Sequence, residues 1–279
     1  SVPMKILGAF CGDSAGSRYE FHNIKTMLLP GELINFGCRF TDDTVLTCGV
    51  ADALLQKMDG LPDGWFRDEG YRQAMTEQFC QSIRSYGQTY LHVGYGGRFR
   101  RWLQQKDTKP YGSWGNGSAM RVSFAGWAAS SMEEALALGE LSAAVTHDHP
   151  EGIKGAQVVA GSIFLLRQGG DKDALRQFVS QYYPLDFTLD EIRPDYHFDV
   201  SCQGSVPPAV MAVLEGENFC DVLSRAISIG GDSDTVAAIA GSIAEVLFPI
   251  PQFLADQAWE ILDDQLQDLL TRASARFRP

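Results

Sequence analysis

Two short segments of this chain each place two aspartates and a threonine at the predicted start of a helix. They are Thr41-Asp42-Asp43-Thr44 and Gly230-Gly231-Asp232-Ser233-Asp234-Thr235, and an apolar helical pattern follows each of them. Either segment alone is more typical of a capped helix than of a ligand set, because one acid or hydroxyl is enough for a cap. Together they contain more acids and hydroxyls than capping needs. Clustered carboxylates and hydroxyls are the ligands that Mg²⁺, Mn²⁺ and Ca²⁺ prefer. If the two helix starts meet, their acids are sufficient for a pair of divalent cations.

A second group of residues suited to ligand binding lies in region 94–118, which is predicted to be irregular and is rich in glycine and aromatic residues. Long ordered loops in compact domains often carry function. Within this region, Gly115 and Gly117 could bring backbone N–H groups close to a pyrophosphate. Trp114 could stack on adenine, and Ser113 and Asn116 could form hydrogen bonds with phosphate or ribose. From the residues alone, however, the Gly-Asn-Gly segment would be only a turn, and nucleotide binding is favoured by the family resemblance described below.

Two histidines occur close together in Thr146-His147-Asp148-His149-Pro150, just before another predicted helix. A His-x-His pair beside acids suggests zinc, but no third soft ligand follows at a recognisable spacing. Zinc is therefore not predicted. We interpret His149 as a hydrogen-bonding residue near the start of the helix.

The first predicted helix, within residues 6–20, is rich in small residues. Its glycines make it intrinsically weak, at about 1 kcal/mol for each glycine relative to alanine, which predicts close packing against a neighbouring helix. Asp13 in this segment is interpreted as a possible buried hydrogen-bonding group. Glu20, taken alone, would be an ordinary surface residue.

In this order along the chain, these segments resemble the ADP-ribosylglycohydrolase family, which includes the dinitrogenase-reductase-activating glycohydrolases. The similarity runs from about Ile6 to Pro249. It is carried by the segments 12–20, 41–44, 115–121, 146–150 and 230–235. The resemblance implies a compact orthogonal helix bundle with a dinuclear metal site near its centre. Neither acidic segment departs from the family pattern, which argues against an inactive member.

The resemblance also implies a role for each matching residue. The implied ligands of two Mg²⁺ or Mn²⁺ ions are Thr41, Asp42, Asp43, Asp232, Asp234 and Thr235, with Asp234 expected to bridge both ions. The implied substrate-binding residues are Ser113, Trp114, Gly115, Asn116, Gly117, Met120, His147, Gly230 and Gly231, although the helical pattern also assigns Met120 to the core. The catalytic candidates are Glu20, Asp43 and Asp232. Glu20 would transfer a proton or gate the site, whereas an inner aspartate could instead activate the water.

The implied reaction is hydrolysis of the glycosidic bond at the anomeric ribose carbon, which releases ADP-ribose from a modified protein side chain. The linkage could be to arginine or to serine, because the residues that discriminate between them lie in variable loops. One alternative is a hydrolase of a free ADP-ribose derivative or a nucleoside, which would share every segment. Another is an inactive binding protein, as in crystallins that resemble this family. The intact acidic segments favour an enzyme.

Composition excludes several other classes of protein. The chain has 279 residues, 45% of them hydrophobic, and a net charge of −12, which argues against general binding to nucleic acid or to a membrane surface. The basic segment 98–102 is interpreted as a solvated helix face that could meet a phosphate. The six cysteines show no disulfide or metal spacing, which favours a reducing cytoplasm. We predict a monomer, with one domain over residues 4–279 and residues 1–3 left from expression.

Helical patterns separated by short loops predict an all-α protein, since no alternating pattern is long enough for a strand. Further helices are expected at 41–58, 68–86, 132–145, 151–168, 173–182, 207–215, 218–228 and 251–274, as well as after Thr235. Two further expectations concern a pair of prolines and the stretch 182–199. Pro207 and Pro208 are placed in the first turn of their helix, where proline is tolerated. The stretch 182–199 is interpreted as a surface loop beside the substrate.

Overall fold

Fifteen α-helices form the regular structure of residues 4–279, which are the residues that this computed structural model describes. They are α1 Gly8–Gly16, α2 Asp42–Lys57, α3 Glu69–Thr89, α4 Gly97–Gln104, α5 Gly117–Met120, α6 Ser123–Ala128, α7 Met132–Ala144, α8 Pro150–Arg167, α9 Lys172–Ser180, α10 Leu189–Ile192, α11 Cys202–Glu215, α12 Phe219–Ser228, α13 Ser233–Leu247, α14 Gln252–Ile261 and α15 Asp264–Phe277. Residues 4–279 contain no β-strand. The prediction of an all-α, single-domain protein is confirmed, and the interpretation of residues 1–3 lies outside the described residues.

Helix α13 is the central helix of the core, because every residue from Ser233 to Glu245 is buried. Helix α1 packs along it and is buried over its whole length. The two backbones touch: a Cβ atom on Gly12 would overlap the Ala237 carbonyl, and one on Gly8 would overlap the Gly241 carbonyl. The predicted close packing of the small-residue helix is thereby confirmed.

Helix α11 begins earlier than the sequence pattern predicted. It starts at Cys202, where the Ser201 side chain accepts a hydrogen bond from the Gly204 N–H, so Pro207 and Pro208 lie inside the helix. Pro208 has no N–H to donate to the Gly204 carbonyl four residues earlier. The Tyr196 hydroxyl donates to that carbonyl instead, at 2.6 Å. The prediction of prolines in a first turn is therefore wrong, and a tyrosine from the preceding loop makes their position possible.

Two other predicted boundaries are also wrong. The tail forms two helices, because the Asp263 side chain accepts a hydrogen bond from the Leu266 N–H and thereby caps α15 after a break. The region 94–118 is not irregular throughout, since α4 occupies Gly97–Gln104. Within α4, Phe99, Trp102 and Leu103 are buried, and the arginines are exposed. The interpretation of this basic segment as a solvated helix face is therefore confirmed.

The described residues contain no helix that is both long enough and apolar enough to cross a membrane. All six cysteines are free thiols, and Cys48 and Cys220 are buried in helices.

The contact between α1 and α13 predicts that a single methyl group at Gly12 is costly. We expect Gly12→Ala to lower the free energy of unfolding by about 3 kcal/mol, because the Cβ atom can be accommodated only by separating two backbones. Urea denaturation, followed by circular dichroism, measures this change. Gly60→Ala is the control, since a Cβ there meets nothing within 4 Å, and it should change stability by less than about 0.5 kcal/mol. Equal stability of the two variants would contradict the close contact.

Candidate active site

The starts of α2 and α13 meet in the interior of the protein. Thr41 is the N-cap of α2, and Asp43 lies in its first turn, while Asp234 and Thr235 lie in the first turn of α13. The Thr235 hydroxyl donates to Asp43 Oδ2 at 2.8 Å, and Thr41 Oγ1 lies 3.2 Å from Asp234 Oδ2. The two acidic segments, 186 or more residues apart in sequence, therefore form one cluster.

Asp13 anchors this cluster to α1. Its carboxylate is fully buried and accepts hydrogen bonds from the backbone N–H and the hydroxyl of Thr41, at 2.8 and 2.6 Å. It accepts the same two kinds of bond from Thr44, at 3.2 and 2.7 Å. Burial raises the pKa of Asp13 to about 6, and the bonds from the threonines oppose that rise. The interpretation of Asp13 as a buried hydrogen-bonding group is confirmed, and its function is to hold the start of α2.

The carboxylates fall into two groups that share one residue. Oxygens of Asp13, Asp43 and Asp234 lie within 4.8 Å of one another, and so do oxygens of Glu20, Asp232 and Asp234. Asp234 belongs to both groups, which is the position expected of a bridging ligand. Asp42 belongs to neither group, although its carboxylate lines the adjoining cavity.

The cluster is short of positive charge and of hydrogen-bond donors. Thr41 Oγ1 lies 2.6 Å from Asp13, 3.0 Å from Asp43 and 3.2 Å from Asp234, but a hydroxyl has only one proton to donate. No lysine or arginine among the described residues forms an ion pair with these acids. Burial, followed by the neighbouring acids, raises the pKa of Asp43 and of Asp234 well above the usual range. Oxygen ligands without a countercharge are suited to hard divalent cations.

Glu20 lies just beyond the end of α1, at the edge of the cluster. Burial raises the pKa of its carboxyl to about 7, and the negative charges of Asp232 and Asp13 contribute to the rise. Its side chain lines the same cavity as Asp43 and Asp234.

A cavity of about 460 Å³ opens from the acidic cluster, which is within the size range of small-molecule sites. Its lining includes most of the residues predicted to bind substrate: Ser113, Trp114, Gly115, Asn116, Gly117, Met120 and His147. Trp114 is 45% exposed and lies at the mouth, so its indole ring is accessible to a ligand. Met120 is 6% exposed, so it both lines the cavity and belongs to the core, as the two sequence arguments predicted.

Asn116 contacts the acidic cluster directly. Its amide nitrogen donates to Asp232 Oδ2 and to Ser205 Oγ, both at 2.9 Å, which uses both of its N–H groups. Asn116 was predicted to hydrogen-bond a ligand, but its two donors are directed at Asp232 and Ser205. The side chain therefore positions a carboxylate of the cluster, and only its carbonyl oxygen is left for another partner.

Gly230 and Gly231 do not line the cavity. Both have positive φ, of 80° and 78°, and they form the turn that leads into Asp232. The Asn23 side chain holds this turn, since it donates to the Gly231 carbonyl and accepts from the Gly231 N–H, each at 2.9 Å. A Cβ atom on Gly231 would overlap the Tyr196 ring. The position of these glycines supports a role in shaping the turn rather than in contacting substrate.

The two histidines have different environments. His149 is the N-cap of α8, and its Nδ1 accepts a hydrogen bond from the Glu151 N–H at 3.0 Å, which confirms the structural interpretation. His147 is buried beside the cavity, with Nδ1 2.6 Å from Thr146 Oγ1. In the part of the chain that the structure describes, neither belongs to a cluster of potential metal ligands.

One wall of the cavity was not assigned residue by residue from the sequence. It consists of residues 94–98, at the start of α4, where the N-cap Gly96 provides no side-chain cap for the first N–H groups of the helix. Arg98 lies over the Tyr111 ring, 4.9 Å from its centroid, and donates to the Tyr111 carbonyl. The buried Tyr95 hydroxyl has no partner among the described residues. The Gly-Tyr-Gly-Gly sequence at 94–97 was the available signal for this wall.

The chain is similar to several known proteins. ADP-ribosylhydrolase ARH3 of Mus musculus is 25% identical over 332 residues, which cover 91% of this chain and 85% of that protein. ADP-ribosylarginine hydrolase Tri1 of Pseudomonas putida (strain GB-1) is 24% identical over 294 residues, or 96% of this chain and 77% of that protein. A solved structure named "ADP-ribosylglycohydrolase-related protein complex" has the same fold, with a TM-score of 0.65, 21% identity, and coverage of 98% of this chain and 96% of its own.

The family model described as ADP-ribosylglycohydrolase matches residues 5–274, which is nearly the whole chain. Together with the acidic cluster and the fold, this match shows that the chain belongs to the ADP-ribosylglycohydrolase family.

Proposed function

We propose that this protein is a divalent-cation-dependent hydrolase that releases ADP-ribose from modified side chains of other proteins. The proposal rests on one observation: two clusters of carboxylates share Asp234 and lie at one end of a cavity of about 460 Å³. Membership of the ADP-ribosylglycohydrolase family supports an ADP-ribose-containing substrate. Two relatives, an ADP-ribosylhydrolase and an ADP-ribosylarginine hydrolase, support the same class of substrate.

The residues proposed to hold two cations, Mg²⁺ or Mn²⁺, are Thr41, Asp42, Asp43, Asp232, Asp234 and Thr235. Their oxygens fit such ions because three carboxylates compete for the proton of Thr41 and no basic side chain neutralises them. When bound, the cations supply positive charge that holds ribose hydroxyls and stabilises negative charge on oxygen. Both oxygens of Asp13 already accept hydrogen bonds, so Asp13 is proposed to position ligands rather than to replace one of them.

The chain's own residues would orient the substrate along the cavity. The backbone around Gly115 and Gly117 and the His147 ring are proposed to bind the nucleotide part, which leaves the anomeric carbon near the acids. Glu20 lines the cavity beside Asp234 and is proposed to transfer a proton during bond cleavage. Asp43 and Asp232 are the other candidates for activating the water.

The function is tested by incubating the protein with arginine-modified and serine-modified ADP-ribosyl proteins in parallel, with Mg²⁺, Mn²⁺ or EDTA. We expect metal-dependent release of ADP-ribose from one of them, which also identifies the linkage. Asp234→Asn should lower the rate about 10³-fold or more and reduce metal binding measured by calorimetry, because it removes a shared ligand. Asp63→Asn, at an exposed loop position, is the matched control. Release from neither protein, with metal bound, would contradict the proposal and favour a free nucleotide as substrate.

Glu20→Gln separates proton transfer from metal binding. We expect its rate to fall by about 10²-fold or more while its metal content stays that of the wild type, since the amide cannot exchange a proton. Rates are measured under single-turnover conditions and metal content by mass spectrometry. A near-normal rate with full metal content would exclude Glu20 as the proton-transfer group and favour an inner aspartate.

The raised pKa values of the cluster predict how metal removal affects stability. A carboxyl whose folded pKa lies above its unfolded value stabilises the fold below the unfolded pKa and loses that effect as pH rises through the folded pKa. With Asp13 at about 6 and Glu20 at about 7, the metal-free protein should lose stability between roughly pH 4 and pH 7. Thermal unfolding in EDTA should therefore show a midpoint that falls over this range, and added Mg²⁺ or Mn²⁺ should restore it. If the unfolding midpoint of the metal-free protein rose with pH over the same range, it would contradict the conclusion that the cluster lacks a countercharge.

A further inference from the structure

Arg121 is a buried cation without an acidic partner. Its side chain is 0% exposed, and among the described residues no carboxylate forms an ion pair with it. Nη2 donates to the Ser142 carbonyl at 2.8 Å and to Thr146 Oγ1 at 2.9 Å, while Nε and Nη1 have no partner in the described residues. A charge buried in this way is costly, yet Arg121 forms part of the cavity wall.

The hydrogen bond from Arg121 to Thr146 determines which atom donates in the hydrogen bond between Thr146 and His147. The Thr146 hydroxyl is buried, accepts from Arg121 and lies 2.6 Å from His147 Nδ1. If His147 Nδ1 carried a proton, Thr146 Oγ1 would accept twice, and its own buried proton would have only the Tyr111 hydroxyl near it, with which Thr146 forms no hydrogen bond in the geometry of the described residues. An unmade buried hydrogen bond is costlier than a made one. The satisfied arrangement has Thr146 donating to Nδ1, so the imidazole proton is on Nε2.

The Nε2 atom of His147 faces the glycines that were predicted to bind the nucleotide. A Cβ atom on Gly117 would lie 2.9 Å from Nε2, and one on Gly115 would lie 3.8 Å from it. The charged groups that act on the ring are Arg121 and Arg98, and the Tyr111 ring lies 6.1 Å from it. Burial and then these two cations lower the pKa of His147 well below its ordinary value. The ring is therefore neutral, with a single N–H group directed at the cavity.

We propose that Arg121 and Thr146 are positioning residues that hold His147 as a neutral donor, with its Nε2–H directed at an acceptor oxygen of the bound nucleotide. The ligand in this statement rests on the proposed function, whereas the state of the ring does not. A chain of hydrogen bonds that begins at a cation polarises each donor along it, so this N–H is a stronger donor than that of an isolated imidazole. This gives the buried guanidinium a function without direct contact with the ligand.

The state of the ring is tested in the ligand-free protein by long-range ¹H–¹⁵N spectra of ¹⁵N-histidine-labelled samples. The chain has five histidines, His147→Gln assigns the signal, and His149 is an internal reference because its Nδ1 also accepts a hydrogen bond. We expect the neutral, Nε2-protonated form of His147 from about pH 5 to about pH 8. An Nδ1-protonated or charged ring in this range would overturn the proposal, whether or not the protein binds ADP-ribose.

A matched pair of variants tests the role of Thr146. Thr146→Val keeps the shape but removes the hydroxyl, so we expect a mixture of tautomers and about tenfold weaker binding of ADP-ribose by calorimetry with Mg²⁺ present. Thr146→Ser keeps the hydroxyl and should retain both the single tautomer and the affinity. Wild-type spectra and affinity in Thr146→Val would overturn the proposal, as would equal losses in both variants.

Arg121→Met tests whether the guanidinium at the start of this series of hydrogen bonds is needed, because methionine has a side chain of similar length. Without the guanidinium, the Thr146 hydroxyl can rotate, and we expect the same tautomer mixture as in Thr146→Val, with native thermal unfolding as the control for folding. Retention of the single tautomer would limit the positioning role to Thr146 and overturn the part assigned to Arg121. If wild-type protein failed to bind ADP-ribose at all, the proposed function would fail, and the spectra would still decide this inference.

Discussion

The direct backbone contact between α1 and α13 determines where every other part of the site lies. Only glycine at positions 8, 12 and 16 allows it, since a Cβ atom on Gly16 would lie 2.5 Å from the Ser233 carbonyl. Because the helices touch, Asp13 on α1 reaches Thr41 and Thr44 at the start of α2, and α13 brings Asp234 to the same point. Three chain segments thus converge with little freedom, which is the preorganisation that a metal centre requires.

The cavity has an uneven distribution of charge. Its lining carries the carboxylates of Glu20, Asp42, Asp43 and Asp234 together with the guanidinium groups of Arg98 and Arg121. No ion pair in the described residues joins a carboxylate of this lining to one of its guanidinium groups. The electrostatic potential is therefore negative near the carboxylates and positive near the guanidinium groups. A ligand with anionic groups at one part and hydroxyl groups at another would be oriented by this field before any specific contact forms.

Much of this architecture could be predicted from the sequence, because its signals are local. Doubled acids at helix starts identified the cluster, and the spacing of small residues identified the contact of α1. Some of the mistakes came from interactions between segments that are distant in sequence. No local pattern indicates that Asn116 donates to Asp232, or that the Tyr196 hydroxyl replaces a proline's missing N–H. The role of Arg121 was left open for the same reason, since its partners lie on α7 and in the turn before α8.

Tyr196 links two features that sequence alone would treat separately. Its hydroxyl donates a hydrogen bond to the carbonyl of Gly204 inside α11, and its ring packs against Gly231 in the turn that leads into Asp232. Lys25 donates to the carbonyls of Arg193, Tyr196 and Ile229, which ties the same loop to the end of α12. We therefore expect the loop and the turn to open together, with similar hydrogen-exchange rates. An insertion or deletion between Arg193 and Gly204 would displace the turn that leads into Asp232, because Tyr196 and Lys25 join the two segments.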